Sequence, residues 1–259
     1  MTQLLVSVKS AEEALIALNA GVDVVDLKDP SIGALGALDL AVSAEIVAKT
    51  QQHNQQSMTS GGNFSLVLTS ATVGEQHADI NSLMKSVLER VAINIDIIKV
   101  AVPTLEAIPN WQEKFNTKEI TAMKAKTKLI AVFFADQEVN LKRLETLSML
   151  GFYGAMLDTS AKHQSLLEVC TLQTLQTFTQ ECKKNALKSG LAGSLKPQDV
   201  ECLSDINPFY IGFRGGVCKA GSRNNALVMD KIIKTKELLQ EHNKLNDLAR
   251  QSSSLALLS

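Results

Sequence analysis

The chain is expected to fold as an α/β protein, a single (β/α)8 TIM barrel of parallel strands, and three observations predict it. Its 259 residues, 45% apolar and 20% charged, suffice for one core of the roughly 250 residues such a barrel needs. Short β-like runs recur near 4–8, 22–28, 64–69, 95–102, 128–134, 154–158, 188–193 and 209–213, and the stretches between them carry helical patterning. Three of those runs deliver ionisable residues, and charge on a strand covered on both faces needs a reason.

Taken in order, Leu4–Val8 opens as a strand and Ser10 starts a helix. Glu13 stands three residues on, Ala14, Leu15 and Leu18 form an apolar stripe, and Gly21 ends it. The second strand runs to Lys28 and stops at Asp29-Pro30, with Gly33-Ala34-Leu35-Gly36 placed to shape the mouth. Gln51–Gln56, followed by Ser57, Thr59, Ser60, Gly61 and Gly62, reads as a surface connection. Leu141, Leu144, Leu147 and Leu150 repeat every three residues before Gly151, and Leu166, Val169 and Leu172 mark another apolar face. Beyond Gln240 the chain turns polar, so a barrel of residues 1–240 is expected to carry a polar tail or helix extension over 241–259.

The 26 Lys and Arg against 27 Asp and Glu give a formal charge of −1, which offers no long-range attraction to nucleic acid or to an acidic membrane. The lone Trp111 and scattered phenylalanines make no stacking platform for bases. No run approaches the about 20 apolar residues of a membrane span, and Met1-Thr2-Gln3 leads straight into the first strand, so a cytoplasmic protein is expected. Cys170, Cys182, Cys202 and Cys218 have neither metal-ligand spacing nor a disulfide framework, so packed, reduced thiols are expected and no metal site.

Asp26 and Lys28 are two positions apart, so an extended backbone sends both to one face, near the strand ends where barrels build active sites. An internal salt bridge is the plainer alternative, but desolvation makes it a poor source of stability. Lys99 sits within Ile97-Ile98-Lys99-Val100-Ala101, where burial and a nearby cation would lower its pKa and free the amine as nucleophile or proton acceptor; snorkelling to water is the alternative. Asp158 ends a third strand, and Lys162, four residues later, is placed to neutralise an anion. Gly193 and Ser194 follow the seventh strand, and Arg214, Gly215 and Gly216 the eighth. Barrels often seat phosphate at those two loops, where Arg214 and Arg223 can add charge-assisted hydrogen bonds. Lys9 and His163 remain open, whereas His53, His77 and His242 have no triad or metal spacing.

The ordered motifs LLVSVKSAEEA, GVDVVDLKDPSIGALGA, DIIKVAV, MLDTSAK, GLAGSL and FRGGVCKAGSR resemble the (5-formylfuran-3-yl)methyl phosphate synthase family, over Leu4 to about Leu239. The resemblance implies a barrel enzyme that joins two glyceraldehyde 3-phosphate molecules and closes a furan with loss of phosphate and water, in methanofuran- or methylofuran-type cofactor biosynthesis. It implies Lys28 as the Schiff-base lysine and Lys99 as the proton acceptor, with Asp26, Asp158 and Lys162 completing the charged site. It implies no cofactor, because the iminium is itself the electron sink. The expected partner is a phosphosugar substrate, with no nucleic acid or membrane, in a homo-oligomer. The 51–63 connection, the residues after Gln240 and Gly-Gly-Val after Arg214 depart from the compact archaeal pattern. Two rivals remain: an orotidine-phosphate-decarboxylase-like barrel, which Ser31 disfavours by standing where that group has a second Asp, and a non-catalytic phosphosugar-binding protein, which gives no reason for both Lys28 and Lys99.

Overall fold

In this computed structural model, which describes residues 1–59, 65–115, 117–161 and 163–256, eight parallel strands close into one barrel in chain order. The strands are β1 Gln3–Val8, β2 Val24–Leu27, β3 Leu68–Thr72, β4 Ile97–Ala101, β5 Lys128–Phe134, β6 Gly154–Asp158, β7 Lys188–Leu191 and β8 Tyr210–Phe213. Between them lie α1 Ala11–Asn19, α2 Leu40–Thr59 and α3 Ile80–Ala92, then three short helices, α4 Val102–Glu106, α5 Trp111–Phe115 and α6 Lys118–Lys124. α7 Arg143–Met149, α8 Leu166–Val169, α9 Leu172–Lys184, α10 Val200–Ile206 and α11 Met229–Ala256 complete the ring.

The two-residue period of a strand divides the apolar residues into two cores. Val25, Leu27, Ile98, Val100, Ala155, Leu157 and Ile211 pack outward against the helices, while Val24, Ile97, Met156 and Tyr210 pack inside the barrel with Leu5, Ile130 and Val132. Asp26, Lys99 and Asp158 share the inward parity of Val24, Ile97 and Met156. Those apolar side chains fill the lower barrel, so the charges fall one step nearer the carboxyl ends of the strands.

Four local expectations need correction. β3 begins at Leu68 because the polar run Thr69-Ser70-Ala71-Thr72 pairs with both neighbours, aligning Asp26 with Ser70 and Thr72 with Lys99. The supposed connection at 51–59 is the last part of α2, where Asn54 bonds the Val67 N–H and C=O at 3.0 and 2.9 Å; residues 60–64 lie outside the described residues. Leu15 is exposed, and α1 instead buries Ala11, Ala14, Ala17 and Leu18 together with Glu13. Leu172 is exposed as well, because Thr171 caps a new helix there and α9 packs through Leu175, Phe178 and Cys182. Past residue 240 the chain takes the second of the two forms expected of it, a helix that runs on through Ala256, and buried Asn243 accepts from the Thr2 N–H at 2.7 Å and donates to the Thr2 carbonyl at 2.9 Å, tying its first turn to the start of β1.

Candidate active site

The strand ends that β2, β4 and β6 raise to the barrel mouth carry two buried ion pairs. Lys99 Nζ lies 2.5 Å from Asp26 Oδ1, and Lys28 Nζ lies 3.3 Å from Asp158 Oδ2. Asp26, Lys28, Lys99 and Asp158 are 1%, 8%, 2% and 3% exposed, so these charges interact without bulk screening. Spacing put Asp26 and Lys28 on one face, with a salt bridge between them as the plainer alternative. The structure instead pairs each lysine with a carboxylate from another strand, because Asp26 is drawn toward β3 and β4 by a bond from Ser70 Oγ at 2.6 Å and by Lys99. Ser7 Oγ from β1 gives Asp26 a third donor at 2.8 Å.

The electrostatic consequences follow from burial. Desolvation lowers the Lys99 pKa, the positive charge of Lys28 lowers it further, and Asp26 only partly restores it. For Asp26, burial works to raise the pKa, but Lys99, Lys28 and the Ser70 hydroxyl outweigh it and hold the carboxyl below its usual range. Lys99 therefore gives up its proton more readily than an ordinary lysine, while the Asp26 carboxyl is held below its usual range.

All four charges border a cavity of about 1010 Å³, which also reaches Gly193, Ser194, Arg214, Gly215 and Gly216. Gly193 has φ +120°, and a Cβ there would stand 3.0 Å from the Thr159 backbone nitrogen, so only glycine fits. A Cβ on Gly216 would stand 2.3 Å from the Leu195 carbonyl oxygen, which shows how tightly the loops after β7 and β8 are stacked. His163, His242 and Arg223 border the same cavity. Lys9 turns away from the lysine pair to donate to the Asn224 carbonyl at 2.7 Å. Lys162 lies outside the described residues.

Arg214 departs from its expected use. Its five N–H groups are directed at the Glu13 carboxylate and at the carbonyls of Ser7, Arg223 and Asn225, with Nε to Arg223 at 2.8 Å and Nη1 to Ser7 at 3.1 Å. A guanidinium so committed holds the loop and has no donor left for a phosphate. Glu13, three residues after the cap Ser10, accepts the Lys9 N–H at 3.0 Å and closes this clasp.

Several contributors escaped sequence reading. Ser7 had a usable signal, a hydroxyl on the inward parity of an apolar strand, whereas Ser70 lies in a polar run past the expected strand and had none. Asp136, just past β5, accepts from Ser160 N at 2.8 Å, Ser160 Oγ at 2.7 Å and Ala161 N at 2.7 Å, and so anchors the loop that follows Asp158. Nothing local marks it, since its partners are 24 and 25 residues away. Among the described residues, no group of His, Cys, Asp and Glu could hold a metal ion, and no helix is long and apolar enough to cross a membrane.

Comparison with solved structures bears on the fold alone. N-(5′-phosphoribosyl)anthranilate isomerase from Pyrococcus furiosus aligns with TM-score 0.59 and 14% identity, over 93% of this chain and 100% of that one. Thiamine phosphate pyrophosphorylase from Pyrococcus furiosus aligns with TM-score 0.57 and 9% identity, over 93% and 96%. Sequence relatives are more specific. A Methylorubrum extorquens protein provisionally named (5-formylfuran-3-yl)methyl phosphate synthase is 34% identical over 92% of each chain. The (5-formylfuran-3-yl)methyl phosphate synthases of Methanococcus maripaludis strain C6 and Methanothermobacter thermautotrophicus are 28% and 27% identical, over 89% and 91% of this chain and 96% and 98% of theirs. The family model described as 4-HFC-P synthase matches residues 4–236, from the first strand well into the last helix, and the chain therefore belongs to the (5-formylfuran-3-yl)methyl phosphate synthase family of enzymes.

Proposed function

We propose that the protein converts two molecules of glyceraldehyde 3-phosphate into (5-formylfuran-3-yl)methyl phosphate, one phosphate and two waters, through an iminium on Lys28, as a step in making a methanofuran-type cofactor. The observation that carries this reading is the pairing of two buried lysines with two buried aspartates in a cavity that also reaches the loops after β7 and β8. A cavity that only bound a phosphosugar would have little use for two desolvated amines. Membership in an enzyme family speaks against the same non-catalytic reading.

In the proposed route the Lys28 amine adds to a substrate aldehyde and expels water. The positive iminium faces Asp158, whose carboxylate favours it over the neutral carbinolamine. Iminium formation acidifies the adjacent carbon, and neutral Lys99 takes that proton, with Asp26 receiving the new ammonium as an ion pair. The resulting enamine adds to the second aldehyde. Loss of one phosphate and dehydration follow, and in ring closure the furan oxygen replaces the Lys28 nitrogen at the former aldehyde carbon, breaking the C–N bond and freeing the amine, with no net oxidation, so no electron acceptor enters the balance. Lys162, by its place in MLDTSAK, would steady the departing phosphate. Gly193, Ser194, Gly215 and Gly216 would seat the retained one, with Arg214 holding the second loop in shape.

The test is incubation with glyceraldehyde 3-phosphate alone, borohydride reduction and peptide mass mapping, run beside assays of furan absorbance and released phosphate. An adduct on Lys28, with furan and phosphate formed in equal amounts, is expected. Furan formation with no reducible adduct would remove the imine from the mechanism.

A further inference from the structure

Beyond the charged cluster, one side chain bridges two loops of the mouth that are far apart in sequence. Arg223 Nη2 donates to the Pro30 carbonyl and, at 3.0 Å, to the Gly33 carbonyl. Those carbonyls belong to the turn that follows Lys28 and Asp29. Arg223 is itself held from behind, because its carbonyl accepts from Arg214 Nε at 2.8 Å and its neighbour Asn224 accepts from Lys9 Nζ at 2.7 Å. Arg214 in turn leads directly into Gly215-Gly216. Glu13, Arg214 and Arg223 thus form one polar chain from α1, through the loop after β8, to the turn beside Lys28.

The turn is held within itself by Asp29, which accepts from the Ser31 N–H at 2.8 Å and donates its own N–H to the Gly36 carbonyl at 3.0 Å. Ser31 and Ile32 at its tip are exposed, Ile32 by 64%, while Pro30, Ala34 and Leu35 are buried. On the far side Glu75 accepts from the Leu35 N–H at 2.7 Å and Thr72 Oγ1 donates to the Gly36 carbonyl at 2.9 Å, so Arg223 is what ties this turn to the loop after β8. Arg223 also borders the cavity, where Asp158, the carboxylate paired with Lys28, is the leading acid acting on its charge. Loss of this bridge would free the two loops to move relative to each other across the mouth.

We propose that Arg223 is a positioning residue that makes the glycine loop after β8 and the Lys28 turn move as one body, so that a phosphate held at the loop sets its aldehyde carbon against the Lys28 amine. This rests on the reading of Lys28 as the imine-forming lysine. The phosphate supplies binding energy remote from the reacting carbon, and such energy accelerates chemistry only if the parts between are rigid. Arg223 is the rigid part: its planar guanidinium caps two carbonyls of one turn, which a lysine ammonium on a flexible stem fixes less well.

The test compares two aldehydes, glyceraldehyde 3-phosphate and unphosphorylated glyceraldehyde, by their rates of borohydride-trapped adduct formation on Lys28. The wild-type protein, Arg223→Met and Arg223→Lys are measured, together with inhibition by inorganic phosphate. In the wild type the phosphorylated aldehyde should react much faster. In Arg223→Met that advantage should fall by roughly 10²-fold, the cost of a misplacement of about 1 Å, while the slow glyceraldehyde rate stays within threefold of wild type. Phosphate inhibition should also stay within about threefold, and Arg223→Lys should recover only part of the advantage. Arg223→Lys keeps the charge and gives the same reading should the Met variant fold poorly.

Three outcomes would overturn the proposal. Equal losses for both aldehydes would mean that Arg223 acts on Lys28 without the phosphate. Phosphate inhibition weakened by the same factor as the rate would make Arg223 a direct anion ligand. Unchanged rates for both aldehydes in the variants would leave the bridge without function. Absence of a Lys28 adduct in the wild type is a different failure, because it removes the imine reading and not the bridge.

Discussion

Lys28 Nζ meets Asp158 Oδ2 at 3.3 Å across the cavity, a contact between β2 and β6, which stand opposite each other in an eight-stranded closed barrel. Asp26, two residues before Lys28 on the same strand, is given over to Lys99. Each amine therefore has its own carboxylate.

Replacing Lys28 by Arg tests the first pair. The guanidinium keeps a cation opposite Asp158, so the fold should survive, with a melting temperature within about 4 °C of wild type. Arginine forms no imine with an aldehyde, and turnover should fall on the order of 10³-fold or more while the borohydride adduct disappears. Peptide mapping of the reduced protein is the direct readout, and an adduct at the wild-type rate in Lys28→Arg would place the nucleophile on another amine.

The second pair predicts a displaced pH profile. Asp26 is the charge that favours protonated Lys99 against desolvation, so Asp26→Asn should lower the Lys99 pKa further. A base must be neutral to accept a proton, and the rate rises as pH climbs through its pKa. The acid limb of kcat/KM should accordingly move to lower pH in Asp26→Asn. The maximum rate should drop, because Lys99 loses the group that orients it. A limb that stays in place or moves upward would show that Lys99 is not the titrating base.

The Glu13–Arg214 clasp predicts a stability effect. Both side chains are nearly buried, at 5% and 9% exposure. Removing one partner leaves the other charged without compensation, at a cost of about 3–5 kcal/mol. Arg214→Ala and Glu13→Ala should each lower the unfolding free energy read from urea titration by that amount, and the double variant by less than the sum. Independent, additive losses would mean that the two groups do not act on each other.

How much of this was legible along the chain depends on the range of each interaction. β4, β5, β6 and β8 are marked by largely apolar runs bounded by turns, and the structure begins and ends them within two residues of the runs. β3 was placed too early, near 64–69, because Thr69, Ser70 and Thr72 carry no apolar pattern that would extend the strand. Their hydroxyls are satisfied by Asp96, Asp26 and the Gly36 carbonyl, partners that only the closed barrel supplies. The polar end of α2 misled for a similar reason, since Asn54 holds Val67 across the intervening chain.

For the site, parity along β2, β4 and β6 sufficed to bring Asp26, Lys28, Lys99 and Asp158 to one mouth, but not to pair them. Pairing across a barrel depends on register and on side-chain reach, and Lys28 spans the cavity where Asp26 does not. Arg214 was misassigned because a free guanidinium beside two glycines suggests an anion site, and its partner Glu13 is 201 residues away.

The two glycine loops make a last prediction, which separates phosphate seating from imine chemistry. A methyl group on Gly216 would lie 2.3 Å from the Leu195 carbonyl oxygen, so Gly216→Ala must push the loop after β8 off the loop after β7. The lysines lie on other strands and keep their carboxylates. Inhibition by inorganic phosphate should then weaken about tenfold, equivalent to about 1.4 kcal/mol, with glyceraldehyde 3-phosphate KM rising in parallel. Slow trapping of unphosphorylated glyceraldehyde on Lys28 should continue at the wild-type rate. Retention of full phosphate affinity would move the anion seat away from these loops, toward the part of the cavity lined by Lys196, Lys231 and Lys234.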